Sequence, residues 1–184
     1  MTVAAVVLAA GAGSRFRGRT HKLLAPVGGR TVVAHAVGAA VASGLPVYVV
    51  TGAVDLKGLV DPAAILVENP RWSEGQATSL QAGIAAAARA GHDAVVVGLG
   101  DQPLVGPHPW VALAQCPAQM AVATYNGRLG NPVRLGSEVW PHLPSIGDQG
   151  ARSLVWEQAD LVVRVPCAGD PADVDTVEDL ERWA

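Results

Sequence analysis

The chain has 184 residues, half of them hydrophobic, with a net charge of −3 and two cysteines. That length suits one domain with a real core, no apolar run reaches the roughly 18 residues that span a bilayer, and the acidic balance argues against broad nucleic-acid binding. No basic stretch precedes the first apolar run, so no secretory leader is expected, and Cys116 and Cys167 are expected as reduced thiols of a cytoplasmic protein.

Taken in order, the chain opens with an apolar run, Val3 to Leu8, of the kind that fills a strand buried on both faces. A bare stretch follows, Ala9, Ala10, Gly11, Ala12 and Gly13, whose backbone can turn sharply and approach a ligand closely. Arg15, Arg17, Arg19 and Lys22 then place four positive charges within eight residues. Strand, bare loop and clustered cations make a cradle for a polyanion such as a nucleoside triphosphate. Arg30 to Gly44 reads as a helix with Thr31 as its cap, "PVYVVTG" as a buried strand and "AAILVEN" as a third strand. Glu74 to Gly91 reads as a second long helix, and "AVVVGLGDQP" as a strand ending at Gly100 and Asp101. A helix over Pro107 to Gln115 and a strand over Met120 to Tyr125 lead to a turn at Asn126-Gly127 and a bend at Gly130. "GARSLVWEQA" reads as a late helix with Asp148 as candidate cap, "LVVRVP" as the last strand and "VEDLERW" as the closing helix. Strands alternating with helices predict a single α/β domain over residues 1–184, doubly wound and mostly parallel, with helices on both faces.

Two nucleotide-loop patterns fail on inspection. The dinucleotide fingerprint begins at Gly11 and Gly13, but Phe16 stands in place of the third glycine, and the second strand ends "VVTG" with no acid to hold a ribose. A P-loop over Gly13 to Thr20 has Arg19 where the phosphate-binding lysine belongs. In isolation, the loop reads as a glycine-rich turn followed by a solvated basic run.

A third pattern is a resemblance. "LAAGAGSRF…KLL" resembles the signature of MobA/MocA-like nucleotidyltransferases, and five further blocks match in the family's order: "WSEGQATSLQAG", "GDQPLV", "GNPVRL", "GDQGAR" and "DVDTVEDL". The Ala-Ala-Gly form of the loop and the "GDQGAR" block resemble molybdenum-cofactor cytidylyltransferases most. The resemblance implies a Rossmann-like nucleotidyltransferase fold. It also implies Mg2+-dependent transfer of CMP from CTP to the phosphate of molybdopterin or its metal-loaded form, with release of pyrophosphate. Alternatives are a guanylyltransferase using GTP, a relative acting on another phosphorylated metabolite, and a non-catalytic carrier that delivers the cofactor to a molybdenum hydroxylase.

The resemblance assigns residue roles. Arg15 and Lys22 are the matching cations, expected on the β- and γ-phosphates and on the α-phosphate respectively. Asp101, at the carboxyl end of a strand, is expected to hold Mg2+. Asp175 is expected as a second metal ligand, with Asp173 the nearby alternative, although Asp175 or Thr176 can equally cap the closing helix. Leu8, Ala9, Ala10, Gly11, Ala12, Gly13 and Ser14 are expected at the nucleotide together with Gly75, Gln76 and Ser79. These last sit, with Thr78, at a helix start whose free amides can meet a base or ribose. Asn131, Asp148 and Arg152 are expected at the acceptor; Asn131 replaces a histidine common in the family, and Arg134 falls where an apolar residue is usual. His21, His35, His92, His108 and His142 lack metal-ligand spacing, and His35 reads as a satisfied helix histidine. Most of Trp72, Trp110, Trp140, Trp156 and Trp183 read as packing residues, with Trp72 and Trp140 candidates for the acceptor border or a partner surface.

Overall fold

The computed structural model describes residues 2–18 and 20–181; Arg19 and Trp183 lie outside the described residues. The apolar opening run forms β1 (Val3–Ala9) in the middle of the sheet. Its side chains alternate between two cores, Ala4 and Val6 on one face and Ala5, Val7 and Ala9 on the other. A strand covered on both faces needs no polar positions, which explains the unbroken run.

After the glycine loop, β2 (Pro26–Val27) and β3 (Arg30–Thr31) form a short antiparallel pair. The next helix, α1 (Val32–Ala42), therefore begins two residues later than its composition suggests, capped as expected by Thr31, whose hydroxyl accepts the Ala34 N–H at 3.3 Å. His35 on this helix meets the Val27 carbonyl at 2.8 Å, so it is satisfied within the fold. β4 (Val47–Thr51) and β5 (Ile65–Glu68) follow on one side of β1. α2 (Gln76–Arg89) then crosses the opposite face from α1 and delivers β6 (Ala94–Leu99) to the other side of β1.

Beyond β6 come α3 (Pro107–Gln115), β7 (Met120–Tyr125), β8 (Arg128–Gly136), α4 (Arg152–Glu157), β9 (Val163–Pro166) and α5 (Val177–Glu181). The seven strands run in the order β5-β4-β1-β6-β8-β7-β9, and every pairing is parallel except the two made by β8. α1 and α3 cover one face, α2 and α4 the other, giving a mostly parallel, doubly wound α/β fold.

Two local expectations change and one open choice is resolved. β8 is a strand where the sequence pattern gave only a turn and a bend. Asn126 and Gly127, both at positive φ (51° and 78°), turn β7 directly into it. Gly130 and Pro132 interrupt the alternation that would have revealed it. Asp148 caps nothing: α4 starts from Ala151 with no side-chain cap. At α5, Thr176 and Asp179 cap each other, the hydroxyl accepting the Asp179 N–H at 3.3 Å and the carboxylate accepting the Thr176 N–H at 2.8 Å. Asp175 contributes only its own N–H to that arrangement, which leaves its carboxylate for other work.

Among the described residues, no helix is long and apolar enough to cross a membrane. From β1 the chain winds one way to β4 and from β6 the other way, so the loops after these adjacent strands diverge. Open α/β sheets bind ligands in the crevice that this reversal creates at the carboxyl ends.

Candidate active site

The crevice holds a cleft of about 490 Å³, lined without a break from Leu8 to Phe16. Gly11 has open space where a Cβ would stand, so a side chain there would fill the cradle. Gly13 is a different case. Its φ of +62° favours glycine, and Lys22 Cγ lies 3.0 Å from where its Cβ would be. The loop and the Lys22 stem pack directly together.

Asp101 follows β6, and Asp175 reaches it from the far end of the chain because the Val174 N–H donates to the Asp101 carbonyl at 2.8 Å. Between the two carboxylates sits Lys22 Nζ, 2.5 Å from Asp101 and 3.4 Å from Asp175. Arg15, largely exposed, reaches Asp175 at 2.8 Å. Burial opposes the Lys22 ammonium, but the charge and hydrogen bond of Asp101, and then those of Asp175, outweigh it and raise its pKa. The four charged residues named from the sequence thus meet at one point. Asp173 stands apart from this exchange: Gln102 donates to its Oδ1 at 2.8 Å and to the Pro171 carbonyl at 2.7 Å. Burial and the neighbouring Asp101 charge push the Asp173 carboxyl up, against that hydrogen bond. Asp175, not Asp173, faces the cations.

An ammonium shared by two carboxylates shows that the site accepts a cation, and two carboxylates beside a phosphate cradle form a donor set suited to Mg2+. Asp101 and Asp175 are the residues that would hold it.

Gly75, Gln76, Ser79 and Asp148 also line this cleft. The start of α2, however, has two of its first amides engaged within the protein. The Ala77 N–H is taken by the Gly147 carbonyl at 2.9 Å and the Thr78 N–H by the Gly75 carbonyl at 3.2 Å. Asn69 Nδ2 donates to both Thr78 and Ser79 hydroxyls, at 2.9 and 3.0 Å, and Thr78 is buried away from the cleft. Gly75 permits close approach of protein rather than ligand: at φ +110°, its Cβ would fall 2.4 Å from the Gly147 backbone.

A second cavity of about 250 Å³ shares the wall Leu8, Gln76 and Leu99 with the first. Its floor is apolar, from Leu80, Val97 and Val122, and its rim carries Asn131, Arg152 and Trp156. Asn131 and Arg152 therefore lie together on the second cavity, whereas Asp148 belongs to the first cleft. Trp72 also borders the first cleft, and Trp140 donates its indole N–H to the Leu135 carbonyl at 3.1 Å, outside both cavities. Arg134 is on the opposite side of the sheet from the second cavity. Buried to 2 % exposure, it donates to the carbonyls of Ala118 at 2.8 Å and Ala114 at 3.3 Å, closing the end of α3. Its departure from the usual apolar residue is structural.

Sequence reading missed two residues here. Trp156 is 65 % exposed on the rim of the second cavity, and helical periodicity cannot distinguish that from a packing face. His21 touches the glycine loop, with its Nε2 at 3.1 Å from the Gly11 carbonyl. Its adjacency to Lys22 was the available signal.

A doubly wound sheet with a bare loop, paired cations and paired carboxylates at its switch point is the construction of a nucleotide-handling α/β enzyme. Residues 5–161 match the MobA-like NTP transferase domain. The chain belongs to that family and is a nucleotidyltransferase, in keeping with the MobA/MocA-like signature. It is 34% identical to the nicotine blue oxidoreductase of Paenarthrobacter nicotinovorans over 98% of this chain and 95% of that protein. It is 29% identical to the purine catabolism protein PucB of Bacillus subtilis, over 96% and 93% respectively. Among solved structures, Rv0371c of Mycobacterium tuberculosis in complex with manganese superposes with a TM-score of 0.77 at 25% identity, over 100% of this chain and 98% of that one.

Proposed function

We propose that the chain, acting as one cytoplasmic domain, transfers CMP from CTP to the phosphate of molybdopterin or its metal-loaded form in a Mg2+-dependent reaction. The observation that carries the reading is the meeting of Lys22, Asp101, Asp175 and Arg15 beside the glycine loop, with a second cavity opening on the same wall. An acceptor phosphate oxygen attacks the α-phosphorus, the bond to the α,β-bridging oxygen breaks, and pyrophosphate leaves. Such a displacement needs in-line positioning and charge neutralisation more than covalent help. The loop from Ala10 to Ser14 cradles the phosphates, Lys22 turns from the carboxylates to the α-phosphate, and Arg15 holds the leaving phosphates. When bound by Asp101 and Asp175, Mg2+ supplies charge neutralisation at the phosphoryl oxygens. Arg152 receives the acceptor phosphate, and the apolar floor with Trp156 suits a planar ring better than a sugar. The choice of CTP over GTP rests on the likeness of the loop and of "GDQGAR" to cytidylyltransferases.

The Paenarthrobacter relative carries a redox activity in its name. Phe16 in the fingerprint's third glycine position and the Thr51-Gly52 end of β4 disfavour a nicotinamide cofactor here.

The test is pyrophosphate release with Mg2+ and molybdopterin, comparing CTP, GTP, ATP and UTP. CTP is expected to support turnover, and Asp101→Asn to lower it at least about 100-fold, the upper range for disturbing a metal site. Turnover with GTP alone overturns the base assignment. Cofactor binding without turnover on any nucleotide favours the carrier.

A further inference from the structure

His21 lies between the two parts of the cleft that must be held in register, the glycine loop and the turn carrying Lys22. Its Nδ1 accepts the Leu23 N–H at 3.3 Å, so that nitrogen must be bare. The ring proton therefore sits on Nε2, which donates to the Gly11 carbonyl at 3.1 Å. The ring edge also packs on Gly13, where a Cβ would stand 3.1 Å from Nε2. Behind the ring, the Leu24 N–H donates to the His21 carbonyl at 2.9 Å, closing the turn Lys22–Leu24, and Leu23 anchors that turn in the core. One side chain thus ties Gly11 and Gly13 to Lys22 from both ends.

We propose that His21 is a positioning residue: a neutral, Nε2-protonated latch that fixes the Gly11–Gly13 loop against Lys22 so that both can grip a triphosphate together. The role rests on the nucleotide reading of the cleft. It is specific to the neutral ring, because a second proton would set an Nδ1–H against the Leu23 N–H. The groups facing the ring are Lys22 on its own turn and the Gly11 and Ala12 carbonyls on the loop; Arg15, further along the loop, is engaged with Asp175. Burial holds the ring below the usual histidine value, the two carbonyls oppose this, and the Lys22 charge reinforces it. With the folded value lowered, the latch is intact above pH 6.5 and opens as pH falls through the folded value.

Two substitutions separate the ring's contacts. Asn matches the reach of Nδ1 and can accept from Leu23, while Gln matches the reach of Nε2 and can donate to Gly11. His21→Asn is expected to raise the KM for the nucleotide roughly 3–10-fold, the loss of one hydrogen bond, with kcat within about twofold. His21→Gln is expected to stay within about twofold of the natural protein and to lose its acid-side rise in KM. In the nucleotide-free protein, 15N resonances of the His21 ring should show a bare Nδ1 and a protonated Nε2 that titrates below 6.5. A tautomer mixture overturns the latch. So does nucleotide binding by the natural protein that neither substitution changes. The ring signature without any binding of CTP or GTP, with Mg2+ present, overturns the nucleotide reading and the positioning role with it.

Discussion

Replacing Lys22 with methionine keeps the length of the side chain and removes the cation between Asp101 and Asp175. At an effective dielectric of about 20, the attractions across 2.5 and 3.4 Å amount to about 7 and 5 kcal/mol before any cost is counted. Most of that is offset by the solvation the ammonium gives up at 13 % exposure and by the water that still reaches the carboxylates, at 19 % and 28 %. Arg15 remains on Asp175 and softens the loss further. A net destabilisation of about 3 kcal/mol follows, at the lower end for breaking a buried pair. In a chain of this length that is a fall in Tm of about 6–12 °C, readable by scanning calorimetry. Because Lys22 is raised above its ordinary 10.5 in the fold, its contribution is complete below that pH and disappears as pH rises through the folded value. The gap between natural protein and Lys22→Met should therefore close in strong alkali. Mg2+ or Mn2+ should restore part of the lost Tm in Lys22→Met, up to about 2.7 kcal/mol at a hundredfold excess over Kd, and raise the natural protein less, since there the metal competes with the ammonium. A loss below about 1 kcal/mol, or equal metal stabilisation of both proteins, would refute the counter-ion role of Lys22.

Two other substitutions test whether neighbouring residues belong to the fold or to the site. Arg134→Met should cost about 2–4 kcal/mol in chemical denaturation, because the carbonyls of Ala114 and Ala118 lose their buried donor, while kcat of the folded fraction stays unchanged. Trp156→Ala should leave Tm within about 2 °C, given its exposure, and raise the KM for the phosphorylated acceptor about 3–10-fold without moving that for the nucleotide. A change in nucleotide KM instead would place Trp156 on the wrong cavity.

The parts of the site that were legible are those that lie in one continuous stretch or at a strand end. β1, the bare loop and Lys22 fall within the first 22 residues, and Asp101 follows a strand of four consecutive core residues from Ala94 to Val97. Asp175 was legible only by resemblance, since its place depends on a backbone hydrogen bond between Val174 and Asp101 that no local pattern announces. The competition between Asp175 and Thr176 for the cap resolves because Asp179 supplies the second half of a reciprocal pair with Thr176. β8 was hidden by Gly130 and Pro132, and His21 by the nature of its partners, one backbone carbonyl and one backbone N–H. Contacts to backbone leave no complementary residue type in the sequence to read.

Two amides at the start of α2 are spent on protein contacts, which bears on where the proposed reading puts the phosphates. A helix start offers a phosphate roughly 0.3–1 kcal/mol of dipole attraction at a surface, and its value as a cradle depends on unpaired N–H groups. Here the first turn of α2 gives Ala77 to Gly147, and the Gly147 N–H in turn donates to the Glu74 carbonyl at 3.1 Å. That exchange straps the segment before α4 onto the rim of the cleft, with Gly75 and Gly147 in backbone contact. In the proposed reading the phosphates fall to the loop after β1, where Gly11 is open, and to the full charges of Lys22 and Arg15. Gln76, the first residue of α2, lines both cavities. From that strap the chain reaches Arg152 through a short turn in which the Arg152 N–H donates to the Gln149 carbonyl at 2.8 Å, so the contacts on the rim of the first cleft also hold the approach to the second cavity.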